Sequence, residues 1–165
     1  MDLNIALLIK NIVLMIMLGW ITYTDFKRHE IDFEPLIMGL IFIIPFSLLG
    51  FNDVSFVSSL IGMVLSFSLF FIFSFFGMGG GDMKLIAVIG LFLGWQHILV
   101  TMFLSFYIGA FFAILVLLFK RGRNKLKMKV PFGPSIAIGT FITLFYGNDL
   151  INLFLKYCSV TITPM

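Results

Sequence analysis

Six long apolar segments, separated by short polar breaks, constrain this chain more than any other feature. A run of about 20 apolar residues can cross the hydrocarbon core as a helix, and lipid requires every backbone group to be hydrogen-bonded internally. With 61% hydrophobic and 12% charged residues, the chain could not hide its apolar surface in water. We therefore predict an all-α polytopic membrane protein with about six transmembrane helices, forming a single domain over residues 1–165. The segments are approximately 5–24, 35–50, 55–76, 83–97, 98–119 and 132–156.

The N-terminus and the cysteine usage narrow the class further. The chain begins MDLN without a basic stretch, which favours a retained first helix over a cleaved signal peptide. The single cysteine, Cys158, excludes an internal disulfide and a cysteine-based metal site. We expect no metal and no cofactor, and membrane lipid rather than nucleic acid as a partner.

The distribution of Lys and Arg orients the predicted bundle. Short cytoplasmic loops retain positive charge, and most of the 11 basic residues fall in the first, third and fifth breaks. These breaks are therefore predicted to be cytoplasmic, with both termini outside. The two exceptions, Lys10 and Lys156, are expected to reach outward from helix ends. The nine residues on the predicted cytoplasmic side are Lys27, Arg28, Lys84, Lys120, Arg121, Arg123, Lys125, Lys127 and Lys129.

An acidic residue after three glycines is the strongest candidate for a functional group. Asp82 follows Gly79, Gly80 and Gly81 and opens an apolar run. A carboxylate at the edge of hydrocarbon is costly, which makes it a functional hypothesis. The glycines permit positive φ values and the close approach of another chain, and Asp82 is expected where the next helix begins. The alternative is that Asp82 only caps that helix as its N-cap residue.

The predicted topology supplies a second carboxylate. Asp25, at the end of the first segment, falls on the same side and at the same depth as Asp82. Two carboxylates that share a site repel each other, so one keeps a proton while the other is ionised. Such a pair can activate water and protonate a leaving amine, which is peptide hydrolysis without a metal. The alternative for Asp25 is an ordinary loop acid beside Lys27 and Arg28. Neither HExxH nor CxxC occurs, and the two histidines, at positions 29 and 97, are predicted on opposite sides.

Three segments together resemble a known family. GGGDMK (79–84) is similar to the GxGDxK pattern of the type IV prepilin peptidases, TDFKRHEID (24–32) to their D-x-x-x-x-x-I segment, and VPFGPSIAIG (130–139) to the P-F-G-P segment that opens their last core helix. The resemblance implies cleavage of a short basic leader from prepilins or similar precursors, after a glycine and at the cytoplasmic membrane face. It also implies that Asp25 and Asp82 are the catalytic pair. The expected substrate-binding or supporting residues are Gly79, Gly80, Gly81, Lys84, Pro131, Gly133 and Pro134.

The chain departs from the family pattern in two places. Large bacterial members add a cytoplasmic domain with paired CxxC motifs that N-methylates the new terminus, and since this sequence has no such motifs we do not expect methylation. Where relatives often have Ile-Pro-Asn after the first aspartate, this chain has Ile31, Asp32 and Phe33, with Pro35 later.

Two other functions remain open on sequence. A presenilin-like or signal-peptide-peptidase-like protease also contains GxGD, although Thr24 rather than tyrosine precedes Asp25 and PFGP replaces the last motif of that group. A small transporter or scaffold could bind a proton or cation at Asp25 and Asp82.

Charge and small residues suggest three further roles. The acids Glu30, Asp32 and Glu34 are expected to attract a basic leader, while the basic loop 120–129 is expected to contact anionic lipid. The spacing of Gly90 and Gly94 predicts close helix packing.

Overall fold

Five helices make up the computed structural model, which describes residues 3–28, 32–75, 79–119 and 132–162. They are α1 (Leu3–Arg28), α2 (Phe33–Leu48), α3 (Phe56–Ser74), α4 (Gly80–Phe119) and α5 (Gly133–Ile162). The described residues form no strand, so the all-α prediction is confirmed. The predicted basic loop 120–129 lies outside the described residues.

Within the described residues, four helical stretches are long and apolar enough to cross a membrane, and α2 is a shorter apolar helix of 16 residues. Large apolar side chains face outward along these helices, as lipid contact requires. Phe103 is 74% exposed and Ile41 is 69% exposed, for example. The chain is therefore a multi-pass membrane protein. The four stretches are Asn4–Lys27, Phe56–Ser74, Gly80–Leu115 and Gly133–Lys156.

The 40 residues of α4 are interrupted at Gly94, where the backbone has φ 76° and ψ 175°. An uninterrupted helix of this length would measure about 60 Å, twice the thickness of the hydrocarbon core. A positive φ of this kind favours glycine. We call residues 80–93 the first arm of α4 and residues 95–119 the second arm. The fourth and fifth predicted segments correspond to these two arms.

The first arm runs antiparallel to α3. Ser66 of α3 donates its hydroxyl hydrogen to the carbonyl oxygen of Ile86 at 3.2 Å. Further back along α3, Gly62 contacts Gly90 so closely that a Cβ on Gly62 would lie 2.7 Å from the Gly90 carbonyl oxygen. Residues later in α3 therefore contact residues earlier in the first arm, as expected for antiparallel helices. The predicted close packing at Gly90 is confirmed.

The second arm runs in the opposite direction along α3, so the chain reverses at Gly94. Gly62 also lies against the carbonyl carbon of Gly94, while the ring of Phe70 is 5.2 Å from that of Phe106. Residues later in α3 therefore contact residues later in the second arm, so these two helices are parallel. Both arms consequently pack on α3, and at about 1.5 Å per residue the start of the first arm lies level with about residue 108 of the second.

The last helix, α5, lies antiparallel to the second arm. A Cβ on Gly147 would lie 2.6 Å from the His97 ring, and one on Gly109 would overlap the ring of Phe132. The beginning of α5 is thus brought to the same end of the bundle as the start of α4 and the end of α1. We call this the site end.

The opposite end of the bundle holds a buried lysine. Lys10 is only 2% exposed, donates a hydrogen bond to the Asn52 side chain at 3.1 Å and forms an ion pair with Asp53. Lys10 therefore reaches the break predicted to lie outside, although its ammonium is held within the protein and not in solvent. The chain between α2 and α3 supplies acceptors that neutralise the ammonium where it lies, and Asn52 in turn donates to Ser59 at 3.2 Å.

We predict that Gly62→Ala destabilises the protein. The new Cβ would meet backbone atoms of both arms of α4, and overpacking of this kind typically costs about 1–3 kcal/mol. The matched control is Gly19→Ala, because a Cβ at Gly19 has no neighbour within 4 Å. Thermal unfolding in detergent should show a lower melting temperature for Gly62→Ala only. Equal melting temperatures for the two variants would contradict this packing.

Candidate active site

Asp25 is a buried side chain in the last turn of α1. The helix continues to Arg28, and Asp25 is only 5% exposed. The alternative of an ordinary loop acid is therefore wrong. Carbonyl groups at a helix C-terminus disfavour a negative charge, and burial removes water. The carboxylate must consequently find hydrogen-bond donors on other elements.

The first residue of α5 supplies such a donor. The backbone N–H of Gly133 donates to Oδ2 of Asp25 at 2.9 Å. This amide has no acceptor within its own helix, because the first amides of any helix lack one. A Cβ at position 133 would lie 2.6 Å from the same oxygen, so only glycine fits without displacing the carboxylate. Sequence and structure thus agree that the PFGP segment opens the last helix.

Asp82 is the third residue of α4 and is 9% exposed. Its backbone N–H donates to the Gly79 carbonyl oxygen at 3.1 Å, and its carboxylate accepts a hydrogen bond from the backbone of Gly79. A carboxylate at the third helical position that reaches back to the N-cap amide is the second half of a capping box. The alternative that Asp82 is itself the N-cap is therefore wrong, since the helix begins two residues earlier. This capping contact fixes the carboxylate in place.

The three glycines act differently from expectation. None of Gly79, Gly80 and Gly81 has a positive φ; among the described residues only Gly50 and Gly94 do. Small size matters at Gly79 instead, where a Cβ would lie 3.1 Å from Oδ2 of Asp82. Gly79 and Gly80 are exposed and have no side chains, so their backbone is accessible next to Asp82.

The two aspartates share one site. Both are buried at the site end, and the Asp25 carboxylate is close enough to that of Asp82 for their charges to interact. The helices that carry them are separated in sequence by α2 and α3. The juxtaposition that the topology predicted is therefore present in the structure, and a third helix, α5, is bound to it through Gly133.

The remaining predicted site residues are more peripheral. Lys84 is exposed, and its Nζ lies 4.1 Å from the centroid of the Phe33 ring at the start of α2. Pro134 is the buried second residue of α5, in the first turn, where the missing N–H of proline is tolerated. Pro131 lies outside the described residues.

An aromatic cluster that sequence reasoning missed fixes the start of α5. The ring of Phe132 lies 5.8 Å from that of Phe106 and 6.3 Å from that of Phe70. It also packs directly on Gly109. Phe132 is the phenylalanine of the PFGP segment, and its place there is the one sequence feature that could have pointed to it. Nothing else in the sequence distinguishes it from the other 21 phenylalanines.

Chemically, the site offers two carboxyl groups and backbone amides. No three His, Cys, Asp or Glu side chains among the described residues lie close enough together to hold a metal ion. Paired carboxyls can act as an acid and a base toward the same bound molecule.

The chain resembles known proteins over most of its length. Residues 12–114 match the profile of the Type IV leader peptidase family. A prepilin leader peptidase/N-methyltransferase of Aeromonas hydrophila is 31% identical over 153 residues, which cover 85% of this chain and 51% of that protein. The proteins of the same name from Pseudomonas aeruginosa and Bacillus subtilis are 30% identical over 116 residues and 39% identical over 80 residues.

Each match covers only part of the relative's own sequence. The Pseudomonas match covers 68% of this chain and 39% of that protein, and the Bacillus match covers 48% and 32%. The chain thus spans about half or less of the length of these relatives. No solved structure shows a significant match. Since the family profile covers more than half of the chain, including both buried aspartates, the chain belongs to the type IV leader peptidase family.

Proposed function

We propose that this protein is a membrane aspartic endopeptidase that removes the basic leader peptide from prepilins or prepilin-like precursors. The observation that carries the proposal is the pair of buried aspartates, Asp25 and Asp82, held in one site inside a chain of this family. Buried acids in an apolar bundle are costly, which favours a catalytic role over a structural one. The substrate class follows the name that the relatives carry.

The proposed mechanism is hydrolysis by a water molecule bound between the two carboxyl groups. The ionised carboxylate accepts a proton from water, and the resulting hydroxide adds to the scissile carbonyl carbon. The protonated carboxyl then donates its proton to the departing amine nitrogen as the C–N bond breaks. One peptide and one water give one carboxylic acid and one amine. The two groups exchange roles as acid and base within the cycle.

The supporting residues keep the two carboxyls in place and leave room for a peptide. The amide of Gly133 orients Asp25, and the amide of Gly79 orients Asp82. Gly80 and Gly81 let a substrate backbone lie beside Asp82. Lys84 packs on Phe33 and thereby links the starts of α4 and α2. Pro134 directly follows Gly133 in the first turn of α5, and Pro131 precedes Gly133 by two positions in the sequence.

The active site is proposed to face the cytoplasm, in the cytoplasmic membrane. The end of α1 and the starts of α4 and α5 adjoin the first, third and fifth breaks of the sequence. These are the breaks in which basic residues accumulate, as they do on the cytoplasmic side of membrane proteins. A leader that remains in the cytoplasm would therefore reach the site end directly. Pilus assembly and protein secretion are the processes that such precursors serve.

Family membership favours this function over the two alternatives. A presenilin-like protease and a proton-coupled or ion-coupled transporter would each use the same acids, but the family profile and the relatives are those of leader peptidases.

We predict that Asp25→Asn and Asp82→Asn each reduce precursor cleavage by about 10²- to 10⁴-fold, the usual contribution of a general acid or base. Asparagine preserves the shape of the side chain but removes the titrating proton. The measurement is cleavage of a co-expressed or purified precursor, with the new N-terminus read by mass spectrometry. Asp149→Asn is the control, because Asp149 is exposed near the opposite end of the bundle, two residues from Gly147. Full processing by either site variant would refute the catalytic pair.

Gly133→Ala is expected to slow cleavage by about 10- to 100-fold, because a displacement of the order of 1 Å at a catalytic group can cost this much. The added methyl group would push the Asp25 carboxylate away from its amide donor. Gly19→Ala serves as the comparison, since its methyl group enters open space. Cleavage rates should be measured on variants that elute from size exclusion as the parent does. Wild-type rates in Gly133→Ala would show that the contact does not position Asp25.

A further inference from the structure

A groove of about 860 Å³ runs between the second half of α1 and the start of α2. One wall carries Trp20 and Tyr23, and the other begins with Phe33. Thr24 also lines the groove, and it directly precedes Asp25 in the same helical turn. The groove therefore reaches the level of Asp25 along α1, although neither Asp25 nor Asp82 is among the residues that line it.

The groove is polar at one end and apolar at the other. Asp32, Glu34 and Lys27 line it where α1 ends and α2 begins, whereas Ile16 and Trp20 line it farther back along α1. From Ile16 to Lys27 the helix rises by about 16 Å, the length of about five extended residues. Thr24, and with it the level of Asp25, lies near the polar end.

The two acids of the groove are available to bind a cation. Asp32 occupies the N-cap position of α2 but makes no capping hydrogen bond, although aspartate is among the best residues for that purpose. Among the described residues, the ion pair that forms is between Lys10 and Asp53, so it does not involve the groove acids. Within the same part of the chain, neither Asp32 nor Glu34 forms a side-chain hydrogen bond.

The two nearby lysines lie on aromatic rings. Nζ of Lys27 is 5.7 Å from the centroid of the Tyr23 ring, and Nζ of Lys84 is 4.1 Å from that of Phe33. Neither lysine forms an ion pair with a groove acid. Such contacts between a cation and a ring face are favourable by themselves, so they leave the carboxylates of Asp32 and Glu34 open to a second, incoming cation.

We propose that this groove binds the precursor across its cleavage site, with the basic leader residues on Asp32 and Glu34 and the following apolar residues along Trp20 and Ile16. The inference rests on the proposed leader peptidase function and assigns the substrate-binding surface for it. The polarity of the groove matches a chain that is basic before the cleaved bond and apolar after it, and it places that bond level with Asp25. With two acids and one lysine among its lining residues, the groove carries a net negative charge, which disfavours an anionic lipid headgroup.

The test measures binding separately from cleavage. Binding of a fluorescent precursor peptide is measured in nanodiscs of neutral lipid, in an Asp82→Asn background that holds the peptide without cutting it. A second peptide carries glutamate in place of each leader lysine. Asp32→Asn/Glu34→Gln should weaken binding of the basic peptide by about tenfold, the effect of two exposed charge pairs of about 0.7 kcal/mol each. Asp32→Lys/Glu34→Lys should instead favour the acidic peptide, and Asp149→Asn should change neither affinity.

Cleavage by the same groove variants with Asp82 intact distinguishes the two proposals. KM for the basic peptide should rise by about the same factor while kcat stays within about twofold, as expected when ground-state binding alone is lost. Unchanged affinity in both groove variants, or equal affinity of the Asp82→Asn protein for the basic and the acidic peptide, would overturn the groove assignment. If the parent chain cleaves no basic precursor, the proposed function fails, while the binding assay still decides what the groove recognises.

Discussion

Burial of a carboxylate in an apolar bundle is the constraint on which the arrangement of this protein depends. Asp25 lies at the wrong end of its own helix for a negative charge, and burial removes it from water. The amide of Gly133 meets it at 2.9 Å, so the start of α5 is tied to the end of α1. Asp82 solves the same problem locally, by accepting a hydrogen bond from Gly79, the residue directly before its own helix. The two carboxyl groups therefore differ in how they are held, although they share one site.

Close helix packing at glycines brings these helix ends together. Gly62 and Gly90 let α3 and the first arm of α4 approach backbone to backbone, and the positive φ of Gly94 lets the second arm return along α3. The second arm then receives the start of α5 through Gly109 and Phe132. Membrane helices associate through such small residues because lipid provides no hydrophobic drive between them. The geometry of the site is in this sense set by glycines far from the acids.

Much of this could be predicted from sequence, because membrane solvation acts on local patterns. The apolar segments followed from composition, and the meeting of Asp25 with Asp82 followed from the alternation of basic breaks. Contacts between distant segments could not be predicted in the same way. The pairing of Lys10 with Asp53 and the packing of Phe132 on Gly109 depend on three-dimensional neighbours that no local pattern encodes. The glycines before Asp82 were interpreted through φ, whereas a close carboxylate contact explains Gly79.

A double-mutant cycle would show whether Asp25 and Asp82 act as one chemical unit. Single-turnover cleavage of a purified precursor would be measured for the parent, for each aspartate replaced by asparagine, and for the double variant. Groups that act together are strongly non-additive, so the double variant should lose no more rate than the more impaired single variant. Losses that multiply, or a single variant that retains the parent rate, would show that the two carboxyl groups do not act together.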